Sequence, residues 1–307
     1  MKKTTFFTGI ILFLFALMSC KKEERIVPVS VPSYEEVPTV LIENYINRIY
    51  IDLLGREPLD SEMTKETAYL RANKLSKSSR VALAHHLQSD TSFKENEISY
   101  RYTYYHQLYN KCKARMIEGA SAYEIQFEIN LINADIARDS ATENYEAIAL
   151  KLYERQKLQD VIDAEHLYRQ DSISLGQVLG RMANNKIYDI INMNTFNFVR
   201  ASFDNLFFRF PTDPEFHTCF DIVEYNQAKL LWGKPAQNRK ELIDLWVNSN
   251  EYLNGQVIWT YQGLLARYPN SKEMAEGMTL LYNGGSQQEL EQQIIATDEY
   301  AHFTYIN

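Results

Sequence analysis

Five residue types recur three times along this chain at the same offsets, and this pattern limits the fold more than any other feature. The copies are Tyr50, Leu53, Arg56, Pro58, Glu62; Phe203, Leu206, Arg209, Pro211, Glu215; and Tyr261, Leu264, Arg267, Pro269, Glu273. In each, the aromatic and the Leu lie three apart and share one face of a helix. The Pro lacks an amide hydrogen and clashes with the preceding turn, so that helix must stop. The Arg then falls in the last turn, where free carbonyls and the negative end of the helix dipole attract a cation. Thr212 with Glu215, and Asn270 with Glu273, have the spacing of a capping box that opens the next helix. The first copy has Leu59 at the cap position, which passes capping to Asp60. The pattern predicts three sharp corners between helices.

Each unit also closes alike, with a small or hydroxyl residue, then Asp or Asn, then an aromatic. The closings are Ser89-Asp90 with Phe93, Ser249-Asn250 with Tyr252, and Thr297-Asp298 with Tyr300. Two closing helices open with boxes of their own, Asn238 with Glu241 and Ser286 with Glu289. A fourth closing, Ala183-Asn184-Asn185 with Tyr188, precedes the second corner. It marks the preceding stretch as an enlarged, degenerate unit, whose Tyr105 and Leu108 echo the corner without its Arg-x-Pro. That unit carries two stripes at steps of four and three: Ile98, Tyr102, Tyr105, Tyr109, Cys112, Met116, then Ile125, Ile129, Ile132, Ile136. Such periods indicate helices packed in coiled-coil style.

Only 11 Gly and 8 Pro occur in 307 residues, which favours long helices over many short strands. The expected fold class is all-α, an array of three to four helical units with Arg-x-Pro corners, neighbours sharing a core. The divisions are a leader at 1–19, a tether at 20–38 and a first unit at 39–96. The enlarged unit at 97–192 follows, then a second unit at 193–254 and a third at 255–307.

The leader opens with Lys2 and Lys3, continues apolar from Phe6 to Met18, and meets Ser19 before Cys20. The apolar run falls short of the about 20 residues that span a bilayer, so it reads as a signal peptide removed on export. Leu17-Met18-Ser19-Cys20 resembles the bacterial lipobox, which implies a diacylglyceryl group on the Cys20 sulfur and anchoring by two or more acyl chains. An ordinary secretory signal with an incidental cysteine is the alternative. The next stretch, Lys21-Lys22-Glu23-Glu24-Arg25 with Pro28, Pro32 and Pro38, has no periodicity and reads as an extended tether. A lysine followed by two acidic residues there is similar to the surface-export signal of Bacteroidetes lipoproteins. The expected location is therefore the outer membrane, lipid-anchored, at the cell surface or on the periplasmic face.

Tyr50-Ile-Asp-Leu-Leu-Gly-Arg-Glu-Pro-Leu-Asp-Ser-Glu62 resembles the opening of the phycobilisome-linker-like helical domains of exported bacterial proteins. It is also similar to the helical domain of planctomycete secreted proteins associated with cytochromes, and Tyr261 to Glu273 matches nearly as well. The resemblance implies helical assembly or binding modules with no set of catalytic residues. The cytochrome association does not carry over, because no Cys-x-x-Cys-His occurs.

The net charge is −8, and loss of the leader with its two lysines makes it more acidic. No basic tract opposes this, so nucleic acid is not an expected partner. Cys112 and Cys219 sit on apolar stripes and read as buried thiols, although a disulfide is permitted outside the cytoplasm. No serine-hydrolase, zinc-protease or phosphate-loop motif is present. His85-His86, and Asp163 with His166, are too isolated for a metal site. Arg56, Arg209 and Arg267 could meet an anionic partner, but each has a Glu six residues on, and a structural corner is the favoured reading. The chain holds 21 Tyr, among them the run Tyr100, Tyr102, Tyr104, Tyr105 and Tyr109. They coat helix interfaces or form an exposed interface for a protein or a sugar. The expectation is a non-enzymatic lipoprotein without cofactor or metal. It would serve as an accessory or scaffold subunit of an envelope protein complex, with glycan binding at the cell surface as the alternative.

Overall fold

The structure is a computed structural model that describes residues 37–92 and 98–303. Cys20, the leader, the tether up to residue 36, and Phe93 lie outside the described residues. The fold class is all-α, as the scarcity of Gly and Pro predicts, with 15 helices and one two-stranded ribbon among the described residues.

The first three helices are α1 (Thr39–Leu54), α2 (Asp60–Ala72) and α3 (Lys77–Ser89). They lead into α4 (Tyr100–Met116), which packs on α1 and α3 from one side and on later helices from the other. Next come the long pair α5 (Ala122–Ala141) and α6 (Tyr145–Arg169), then α7 (Leu175–Ala183) and the short α8 (Lys186–Asn192). The second corner joins α9 (Thr195–Phe207) to α10 (Asp213–Tyr225), and α11 (Arg239–Val247) follows the ribbon. The last four are α12 (Asn250–Leu265), α13 (Ser271–Tyr282), α14 (Gln287–Ile295) and α15 (Asp298–Ala301).

The ribbon is a feature the helical periodicity does not anticipate. Strands β1 (Lys229–Leu231) and β2 (Lys234–Ala236) pair antiparallel about Trp232-Gly233. Both turn residues have positive φ, 51° and 77°, as a tight hairpin with right-handed strand twist requires. Three-residue strands are too short to leave a readable alternation in the sequence.

A simple stack of units would let each touch only its neighbours. Here the last helices return to the first: α14 packs on α3 and α15 on α1. The Tyr45 hydroxyl donates to the Ile295 carbonyl at 3.1 Å, and the Tyr45 ring meets those of Tyr300 and Phe303. Tyr300 donates to Asp52 at 2.7 Å, and the buried Arg80 pairs with Asp298 at 2.9 Å. The last helices close onto the first because both groups carry apolar faces that would otherwise lie in water.

The α5–α6 pair is built differently. Ile125, Ile129 and Ile132 bury the seam on α5, as their spacing predicts. On α6 the buried residues are Leu158, Val161, Ala164 and Tyr168, all in its second half, where it meets α4 and α7. The distal half of the pair stands clear of that contact and exposes Leu131, Tyr145, Leu150 and Tyr153.

Candidate functional site

The three corners share one arrangement, assembled from the residues that recur. The residue before each Arg, Gly55, Phe208 or Ala266, adopts a left-handed conformation and ends its helix. The Arg then turns back across the corner. Arg56 Nη1 and Nη2 donate to Glu62 Oε2 and Oε1 at 2.7 and 2.8 Å. Arg209 meets Glu215, and Arg267 meets Glu273, in the same bidentate geometry with all four bonds at 2.8 Å. The guanidinium carbons lie 5.4, 5.2 and 5.5 Å from the ring centroids of Tyr50, Phe203 and Tyr261, which explains the aromatic of the pattern. Each Arg also donates to the carbonyl of its own next residue, Glu57, Phe210 or Tyr268, rather than to the last carbonyls of the helix as its position suggested.

Each Glu also accepts from the backbone amide at the start of the next helix: Leu59, Thr212 or Asn270. The Glu273 amide donates in turn to Asn270 Oδ1, which completes a capping box. In the first corner Asp60 does not cap. It is the first helical residue, and Leu59 holds the cap position without a side-chain cap bond, its amide donating to Glu62 and its carbonyl accepting from the Met63 amide.

The corners are finished by different neighbours. Tyr100 donates to Glu62 Oε1 at 2.6 Å, and Trp232, delivered by the ribbon, donates to Glu215 Oε1 at 2.8 Å. The Nε of Arg209 and of Arg267 meet Glu251 and Glu299 at 3.1 and 2.6 Å. Glu251 and Glu299 occupy the same place in two closings, Ser249-Asn250-Glu251-Tyr252 and Thr297-Asp298-Glu299-Tyr300. The corner and closing signals are thus joined by hydrogen bonds. The first closing has Thr91 at that place and cannot supply a carboxylate.

The closings themselves are helix starts: Ser249, Thr297 and Asn185 accept from the amides of Tyr252, Tyr300 and Tyr188. Those three tyrosines are buried.

Burial raises Glu62, but bonds from Arg56, Tyr100 and the Leu59 amide outweigh it and hold the carboxyl down to about 2. Arg209 holds Glu215 down to about 2 against a smaller effect of burial, and Arg267 lowers Glu273 in the same way. With both carboxylate oxygens and the guanidinium engaged, these corners offer little to an external anion.

The tyrosine run requires a correction. Tyr100, Tyr104, Tyr105 and Tyr109 are all buried, at 2 to 7 % exposure, and cannot face a partner; only Tyr102, at 41 %, lies at the surface. Ile98, at the head of the expected stripe, is 51 % exposed. The cause is the central place of α4, which is covered from two sides, so its buried face follows Tyr100, Tyr104, Leu108 and Cys112 as well as Tyr105 and Tyr109. The hydroxyls find partners inside: Tyr109 donates to the Val161 carbonyl, and Tyr105 accepts from Gln288. Tyr102 itself is covered on one side by the Arg169 guanidinium at 4.5 Å.

The largest polar assembly in the core was not visible in the sequence. Glu291 on α14 is buried, and its Oε2 accepts from Tyr104 at 2.8 Å and from Gln88 at 2.9 Å. Its Oε1 accepts from Gln287, which also bonds Thr260 and accepts from Gln256. Gln292 donates to Gln88 at 2.7 Å. These bonds tie α3, α4, α12 and α14 together. Burial raises the Glu291 carboxyl against the opposing charge of Lys111 and the three donors. Beside this network opens a cleft of about 480 Å3, bordered by Glu291, Gln287, Lys111, Arg115 and Trp259.

Cys112 and Cys219 are buried free thiols, each pushed by burial up to about 12 and so held as the unreactive thiol. His85 approaches Gln292, and His86 faces Asp90 at 3.7 Å. His166 contacts Arg169, while Asp163 accepts from Gln159. Among the described residues no group of three or more His, Cys, Asp or Glu is placed to hold a metal ion, and no helix is long and apolar enough to cross a membrane. Comparison with protein-family models, curated proteins and solved structures finds no match to this chain.

Proposed function

We propose that this chain is a lipid-anchored accessory or scaffold subunit of a cell-envelope protein complex, assembled from recurrent helical units. It is held by Cys20 to the outer membrane, on the surface or the periplasmic face, and meets its protein partner through the α5–α6 pair. The observation that carries this reading is the apolar stripe on α5 opposite its seam with α6. Tyr123, Phe127 and Leu131 recur there at steps of four and are 78, 50 and 44 % exposed. A groove at its base is lined by Tyr123, Phe127, Ile187, Ile190 and Ile191. Contiguous exposed apolar surface of this kind marks protein contact sites, and a tethered body raises the local concentration of such a site beside its partner. Sugar stacking drew on the tyrosine run, of which only Tyr102 remains at the surface.

Gentle detergent extraction followed by quantitative pull-down tests this reading. A stoichiometric envelope protein is expected to co-purify with the wild type, to be lost with Phe127→Glu, and to be retained with Tyr282→Glu on another face. A strictly monomeric, partner-free protein, or a partner indifferent to Phe127, would overturn it. Cys20→Ala is expected to release the folded body from the membrane.

A further inference from the structure

The cleft beside Glu291 has features that the scaffold reading does not use. Lys111 and Arg115 stand one helical turn apart on α4 and both border it. Among the described residues neither is paired with a carboxylate. Lys111 donates to the Asp52 carbonyl at 2.6 Å, which leaves its ammonium two further donors. Arg115 is held by the carbonyls of Asn205 and Asp204 and lies 3.7 Å from the centroid of the Phe208 ring. Burial depresses its guanidinium to about 10 against the opposing charge of Asp204. Asp52, which also borders the cleft, is engaged elsewhere: it accepts from Tyr300 and faces Arg48 at 3.7 Å. Glu291 borders the same cleft and feels the charge of Lys111, but its carboxylate oxygens already accept from Tyr104, Gln88 and Gln287, so among the described residues neither cation at this concave site has a carboxylate of its own within ion-pair distance.

The opposite wall is α12, which supplies Trp259, Thr260, Gly263 and Leu264. Gly263 is informative by contrast with the other helical glycines. An added Cβ at Gly255 would strike the Leu206 carbonyl at 2.0 Å, and one at Gly277 would lie 2.9 Å from Val257. At Gly263 it would meet nothing within 4 Å. Packing therefore gives no reason for the missing side chain, and its effect is to keep the mouth of the cleft open. The volume falls within the about 300–1,000 Å3 of small-molecule sites, which combine apolar walls with a few convergent polar groups.

We propose that this cleft binds a small organic anion, its charged head between Lys111 and Arg115 and its apolar part against Trp259, Ile51 and Leu264. The head is a carboxylate or a phosphate, both of which suit an ammonium beside a guanidinium. This site is independent of the α5–α6 surface, so either reading can fail alone.

Calorimetric titration of the full chain in detergent with benzoate, phenyl phosphate and neutral benzyl alcohol tests the assignment. At least one anion is expected to bind with saturation at one site per chain, the stronger of the two identifying the head group, while benzyl alcohol gives no saturable heat. Lys111→Gln is expected to weaken binding at least tenfold. Gly263→Leu fills the mouth from a position with no neighbour to displace, and is expected to abolish binding without lowering Tm. Failure of both anions to bind, equal binding of benzyl alcohol, or full affinity in either variant would overturn the proposal.

Discussion

The interior where α14 meets α3 and the outer face of the α5–α6 pair invert each other's chemistry. In the first, Glu291, Gln287, Gln88 and Gln292 lie in the core with hydrogen-bond partners for their buried groups. In the second, Phe127, Leu131, Leu150 and Tyr153 lie in water. A buried polar group with all its partners fixes one packing, because any slip leaves donors unsatisfied at high cost. An exposed apolar stripe contributes little to folding and stays available for another surface. Stability is concentrated where the first and last described helices meet, and the free surface lies on the pair of helices that closure does not need.

Substitutions in both regions test that contrast. Glu291→Ala strands the donors of Tyr104, Gln88 and Gln287 and opens a void, for an expected loss of more than about 3 kcal/mol. Urea unfolding should show it as a lower midpoint at constant slope. Arg56→Ala leaves the Glu62 carboxylate, only 9 % exposed, without its guanidinium. It should cost about 2 kcal/mol, against about 1 kcal/mol for Arg267→Ala, whose Glu273 is more open. Calorimetric Tm values would rank the two, and equal losses would show that the neighbours of a corner do not matter.

Acid gives a graded effect at the same corners. Glu62 and Glu215 are held below the ordinary 4.5, at about 2, so folding stabilises their ionised forms. That contribution is complete above pH 4.5 and is lost as pH falls through about 2, because the unfolded chain then binds more protons. Urea midpoints should decline over that window, with a shallower decline in Arg56→Ala. The smallest expected effect is Phe127→Ser, below about 0.5 kcal/mol, since the side chain is half exposed. Amide exchange at the distal ends of α5 and α6 should be faster than in α4. A Phe127 penalty as large as that of Glu291 would erase the contrast between the two regions.

How far the sequence reveals each region depends on the range of its interactions. The corners are local: Arg, Pro and Glu lie within six residues, and the capping spacing at Thr212 and Asn270 is legible without any knowledge of the fold. The bond between Arg209 and Glu251 spans 42 residues. It leaves a trace only because the closing around Glu299 repeats the same spelling. The α14 network leaves none. Nothing in the spacing of Gln287, Gln288, Glu291 and Gln292 marks them as core residues, and the partner Gln88 is about two hundred residues away. The α4 tyrosines fall between these cases. Helical period identifies Tyr105 and Tyr109 as buried, but it cannot show that a second layer of helices covers Tyr100 and Tyr104 as well.

The return of α14 and α15 to the beginning of the chain also governs the order of events during synthesis. Tyr45 waits for a carbonyl 250 residues downstream, and Asp52 for a hydroxyl 248 downstream. Contacts so distant in sequence form late and slowly. A product cut short before α14 leaves α1 and α3 unsealed, with Tyr45 and Gln88 lacking their partners. The fold therefore acts as a check on synthesis, because only a chain that includes α14 and α15 can shut.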